Sequence, residues 1–168
     1  SGMASGAPTP TSCAVAKQKA AGKLASSLLG CWAKATQKVA AVEAACLQKA
    51  GGKFAAAFAK TEDAGSCVAP GFSAVLAGMV DALVADVVIA TPPGGFPKCV
   101  AAKQKATAKS ASAKLGCHTK ATKSGAVVDA ECLAKAEAKF TGAFAKENGK
   151  AAGCNGFGVA LPIGARVD

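Results

Sequence analysis

The sequence predicts an all-α protein: two disulfide-stapled antiparallel helical hairpins, arranged as a tandem repeat and packed as a four-helix bundle, with one extra apolar helix. Three observations predict it. The phrase CAVAKQKAAGKLASSLLGCWAKATQ, from Cys13, returns with changes as CVAAKQKATAKSASAKLGCHTKATK, from Cys99. Eight cysteines fall four to each copy. Alanine, lysine, glutamine and leucine, all good helix formers, dominate both copies.

The two copies align without a gap. Residues 13–60 and 99–146 agree at 28 of 48 positions, at a constant offset of 86. Cys13, Cys31 and Cys46 map onto Cys99, Cys117 and Cys132, and Cys67 maps onto Cys154 after a one-residue insertion. Such self-similarity marks a duplicated supersecondary unit. The expected organisation is a tag or linker at 1–12, a first repeat at 13–91, a Pro/Gly linker at 92–98, and a second repeat with a short tail at 99–168. Ser1-Gly2-Met3 reads as an addition ahead of the repeats.

The first helix is expected from about Cys13 to Lys38, and its copy from Cys99 to Lys123, where Ser124-Gly125 supplies a stop. Glu43 and Asp129 stand at matching positions before the second helix of each repeat, as caps that favour the positive helix end. Those helices run to about Lys60 and to Glu147, the latter ahead of Asn148-Gly149. Between the repeats, Phe72, Val75, Leu76, Met79, Val80, Leu83, Val84 and Val87 recur at three- and four-residue steps. This predicts an apolar helix from near Ser73, ending before Thr91-Pro92-Pro93-Gly94-Gly95 and filling the groove between the hairpins. The second repeat has no such helix, because Cys154-Asn155-Gly156-Phe157-Gly158 and Leu161-Pro162-Ile163-Gly164 are too broken. One apolar groove is therefore expected to be short of a cover. No membrane span is expected, since the apolar run is short and carries Asp81 and Asp86.

Cysteine spacing sets the pairing. Cys13 and Cys31 lie eighteen residues apart, which is five helical turns. They share a face but stand about 27 Å apart along the axis, too far for a bond or a common metal. The midpoints of Cys31/Cys46 and of Cys13/Cys67 both fall at the predicted turn. A nested pattern follows: Cys31–Cys46 and Cys117–Cys132 near the turns, Cys13–Cys67 and Cys99–Cys154 at the open ends. An inner loop of this length stabilises by about 3 kcal/mol in the chain-entropy picture. With no CxxC spacing and a single histidine, neither metal nor cofactor is expected. Disulfides imply an oxidising compartment, secreted or periplasmic. They also suit a chain with no tyrosine and one tryptophan, whose alanine-rich core buries little area per residue.

On the helical wheel each hairpin shows an apolar side and a basic side. Leu28 and Trp32 lie with Leu47, Phe54 and Phe58 in the first repeat, Leu24 standing with Ala16 and Ala20 near the cysteine edge; Leu133, Phe140 and Phe144 continue the apolar side in the second. The basic side gathers Lys19, Lys23, Lys34, Lys49, Lys53 and Lys60, then Lys105, Lys109, Lys120, Lys135, Lys139 and Lys146. The net charge is +10, from 19 lysines and one arginine against 10 acids. Bidentate reading of bases or phosphates favours arginine, whereas a lysine surface suits diffuse attraction to an anionic polymer or serves solubility.

No catalytic set is legible. His118, the lone histidine, replaces Trp32 of the first repeat and has no acid or nucleophile at a recognisable spacing. Ser26, Ser27, Ser110 and Ser112 sit mid-helix without a nucleophile elbow, and Gly94-Gly95 precedes no phosphate-binding lysine pattern.

The phrases AKQKA, LGC-x-x-KAT and CL-x-KA-x-x-KF-x-x-AFAK resemble Cys/Lys/Ala-rich helical repeats of predicted secreted bacterial proteins, over residues 13–90 and 99–154. That group has no assigned activity; the resemblance implies an extracellular setting. The expectation is a non-enzymatic secreted structural or binding module whose lysine faces meet an anionic polymer or a cell-envelope surface. The alternatives are a carrier of an apolar ligand held between the hairpins, and an enzyme with an unrecognised site.

Overall fold

The computed structural model describes residues 10–65, 67, 70–92, 96–150 and 154. Of the expected tag or linker at 1–12, residues 1–9 lie outside the described residues and 10–12 belong to the first helix; Gly94-Gly95 and the residues after Cys154 also lie outside them.

The described residues form five helices: α1 (Pro10–Lys38), α2 (Ala44–Asp63), α3 (Ser73–Ala90), α4 (Pro97–Ser124) and α5 (Ala130–Asn148). No strand is present among the described residues. Both long helices begin slightly earlier than their first cysteine, each on a proline, whose missing N–H costs nothing in a first turn.

Both long helices also end alike. Ala40 N–H donates to the Ala35 carbonyl and Val39 N–H to Thr36, while Ala126 donates to Ala121 and Gly125 to Thr122. This is a left-handed C-terminal cap. Gly125 meets its φ of +65° without strain, but the same place in the first repeat holds Val39 at φ +54°.

The caps of the second helices differ. Asp129 Oδ1 accepts from Glu131 N–H at 2.9 Å. Glu43 occupies the equivalent backbone position but forms no side-chain cap. This corrects the expectation for Glu43. Its extra methylene carries the carboxylate past the N–H groups that a shorter aspartate reaches.

Four disulfides hold the hairpins. Cys31–Cys46 and Cys117–Cys132 lie near the turns; Cys13–Cys67 and Cys99–Cys154 close the open ends. The bundle is centred on α1 against α4, with α2 flanking α1 and α5 flanking α4. The centre is built of small residues, among them Ala20, Ala21, Ala25, Ala106 and Ala108, so the backbones approach closely. Phe54 and Phe58 seal one hairpin and Phe140 and Phe144 the other, each pair tilted with ring centroids 5.3 Å and 4.7 Å apart.

The third helix departs from expectation. It packs mainly on α1 and only slightly on α2 and α4, so it covers the first hairpin and does not fill a groove between the two. Val80, Val84 and Val87 are buried, while Phe72, Val75, Met79 and Ile89 stay exposed. By length and composition alone α3 is long and apolar enough to cross a membrane. A network on the loop before it explains its place. Lys17 Nζ contacts Glu62 Oε1 at 2.8 Å, and that oxygen accepts from Gly71 N–H at 2.7 Å. The second repeat has Asn148 where the first has Glu62.

The corresponding face of the second hairpin is more polar. The offset of 86 converts Leu24, Leu28, Trp32 and Gly51 into Ser110, Lys114, His118 and Glu137. Lys114, 4% exposed, lies 3.0 Å from Glu137 Oε2. The expected uncovered apolar groove of the second repeat is thus occupied by an ion pair.

Candidate functional site in the lysine cleft between the repeats

Three lysines are withdrawn from the surface by local packing. Lys17 and Lys103 hold the same repeat position, and their ammonium groups lie 4.5 Å and 5.3 Å from the centroids of the equivalent rings Phe58 and Phe144. Lys103 donates to the Cys154 carbonyl at 2.9 Å. Burial pushes its ammonium below the ordinary lysine range, and the Glu147 carboxylate partly opposes that. The hydrogen bond from Lys17, helped by the Gly71 N–H, holds Glu62 below the ordinary carboxylate range, against a smaller effect of desolvation.

The twelve lysines of the expected basic faces are all exposed. Helix packing sorts them. α1 and α4 run antiparallel, as shown by Gln18 Nε2 donating to Thr122 Oγ1 at 3.0 Å and Ser112 Oγ donating to the Gly22 carbonyl at 3.2 Å. Along one side of this contact the helices diverge and leave a cleft of about 480 Å³. Lys19 and Lys23 project from α1 and Lys120 and Lys123 from α4; Val15 and Leu115 form an apolar floor. Among the described residues no carboxylate lines the cleft. Lys23 also borders the next crevice, where Lys53 of α2 joins it beside Ser26 and Ser112.

The remaining lysines of the expected set are not brought together. Lys34 lines a small crevice beside the Cys31–Cys46 bridge, with Glu43 as a neutralising neighbour. Lys135 is paired with Glu131 at 2.7 Å on an exposed helix turn. Lys49, Lys60, Lys105, Lys109, Lys139 and Lys146 are exposed on the outer surfaces and line none of these clefts.

Lys123 escaped the sequence reading because its counterpart in the first repeat is Gln37, so it is not part of the duplicated pattern. The other side of the α1–α4 contact is not equivalent. There Gln104, the counterpart of Gln18, donates to Thr91 Oγ1 at the end of α3.

What the cleft offers chemically is a row of positive point charges above an apolar floor. Lysine supplies three rotatable donors without a planar fork, so it suits phosphate, sulfate or carboxylate groups strung along a chain and reads no fixed geometry. Among the described residues no group of three His, Cys, Asp or Glu is placed to hold a metal ion. His118 is half-buried on α4, and its equivalent in the first repeat, Trp32, lines an apolar groove. No family model, no curated protein and no solved structure matches this chain.

Proposed function

We propose that this protein is a non-enzymatic, secreted helical module that binds an anionic polymer along the lysine cleft between α1 and α4. The observation that carries the reading is the convergence of Lys19, Lys23, Lys120 and Lys123 from two repeats onto one cleft that no carboxylate lines among the described residues. Close ammonium groups raise the local concentration of anions, and their attraction for a polyanion is released as salt screens it. Four disulfides fit an oxidising, extracellular-type compartment, where acidic polysaccharides and envelope polymers are available partners.

The test separates the cleft from net charge. Binding to a sulfated polysaccharide is measured against salt for the parent chain and two quadruple variants of equal charge. One replaces Lys19, Lys23, Lys120 and Lys123 by alanine; the other replaces Lys49, Lys60, Lys139 and Lys146. The cleft variant is expected to lose about tenfold or more in affinity, equivalent to about 1.4 kcal/mol, and to show a shallower salt dependence. Equal losses in both variants would reduce the lysines to a solubilising surface.

A further inference from the structure

We infer that the groove between the first hairpin and α3 is a binding site for an apolar monocation, an alkyl- or aryl-substituted ammonium compound. The site is separate from the lysine cleft and of opposite charge preference. It measures about 580 Å³, within the range of small-ligand pockets.

Its walls are Leu28 and Trp32 of α1, Leu47 and Phe54 of α2, and Val84 of α3. Among the described residues one ionisable group lines it, Asp81 of α3. The carboxylate is exposed, and no ion pair joins it to a described residue. In a chain of net charge +10, an acid on an otherwise apolar wall selects against the anions that the rest of the surface attracts. An apolar body on Trp32 and Phe54 with its positive end toward Asp81 satisfies both parts of the wall, since aromatic faces and carboxylates each attract organic cations.

The duplication supplies an internal comparison. At the equivalent place in the second repeat, Lys114 and Glu137 replace Leu28 and Gly51, and their ion pair fills the space. In the first repeat Gly51 leaves that space empty: a Cβ built there meets nothing within 4 Å. The opening therefore depends on Leu28 and Gly51 together with α3, which the second repeat does not duplicate.

Trp32 is the only tryptophan, so its fluorescence reports on the groove. The probes are decyltrimethylammonium, decanol and decyl sulfate, each below micelle formation. Decyltrimethylammonium is expected to shift Trp32 emission saturably, with one site per chain and tighter binding than the other two. Asp81→Asn should weaken that binding about tenfold and abolish the preference over decanol. Gly51→Leu, which fills the groove at an exposed helix position and favours the helix, should weaken all three probes with unchanged circular dichroism. The inference is overturned by the absence of a saturable Trp32 response. It is equally overturned by identical affinities for the cation and decanol, or by binding that survives Gly51→Leu. None of these outcomes bears on the lysine cleft.

Discussion

Ser26 and Ser112 are the same residue of the two repeats, and they meet. Their hydroxyls form a hydrogen bond across the contact between α1 and α4. Ser26 Oγ also lies 3.2 Å from the Ala108 carbonyl oxygen and Ser112 Oγ 3.2 Å from that of Gly22, so one hydroxyl donates to the other and the accepting one donates to its carbonyl. Gly22 and Ala108 are themselves equivalent positions. The helices are thus related by a local twofold axis through the serine pair, and each repeat offers the other the same surface, as in an isologous dimer.

The two hydroxyls are in direct contact, so a larger side chain at position 112 must displace Ser26. Ser112→Leu is expected to force the helices apart and cost about 1–3 kcal/mol. Ser112→Ala should cost about 0.5–1.5 kcal/mol, the worth of an ordinary hydrogen bond. Because the two serines share partners, the double alanine variant should lose less than the sum of the single ones. Urea unfolding of the parent, Ser112→Leu, Ser26→Ala, Ser112→Ala and the double alanine variant measures all three quantities.

The left-handed cap at Val39 holds recoverable strain. Val39 is 75% exposed, so replacing it removes no core packing. Val39→Gly copies the second repeat, where Gly125 takes the same conformation, and should stabilise by about 1 kcal/mol. The reverse change, Gly125→Val, should destabilise by about 1–2 kcal/mol. A thermal melt in which Val39→Gly lowers the midpoint refutes this account of the turn.

Glu62 gives the fold an acid-sensitive element. Its folded pKa is lowered, chiefly by the Lys17 hydrogen bond. Its contribution is therefore present above the unfolded glutamate value, about 4.3, and is lost as pH falls through the lower folded value. Glu62→Gln should flatten the decline in stability below about pH 4.3 without altering its slope near neutrality. Denaturant midpoints across the acid range, parent against variant, supply the comparison.

The Lys114–Glu137 pair should behave as a structural substitute for the first repeat's apolar contact. Lys114→Ala strands the partner carboxylate, which keeps partial access to water at 36% exposure, and should cost about 1–3 kcal/mol. The double change Lys114→Leu with Glu137→Gly restores the residues of the first repeat and should be closer to neutral than either single change. Calorimetric midpoints of Lys114→Ala, Lys114→Leu, Glu137→Gly and the double variant decide the matter.

The helices, their near-boundaries and the stapled hairpins were legible in the sequence. Helical rise and period are fixed, so eighteen residues between cysteines place both sulfurs on one face and far apart, and only a back-folded partner can bond them. The Gly125 stop and the Asp129 cap were legible for the same reason, since a glycine or a short acid acts within its own turn. The wheel also placed all twelve chosen lysines on exposed surface.

What the tertiary structure alone decided is which of those lysines come together. A wheel treats each helix separately, but the cleft arises where α1 and α4 cross, at an angle and register set by Gly22, Ser26, Ala108 and Ser112. That crossing joins Lys19 and Lys23 to Lys120 and recruits Lys123, which no repeat pattern marked. It likewise took the place of α3 from between the hairpins and gave it to the first one. There the Lys17–Glu62–Gly71 network anchors the preceding loop, whereas the second repeat had already closed its own face with Lys114 and Glu137. Local periodicity fixes what one helix shows; the fit of side chains between helices fixes what the molecule assembles from it.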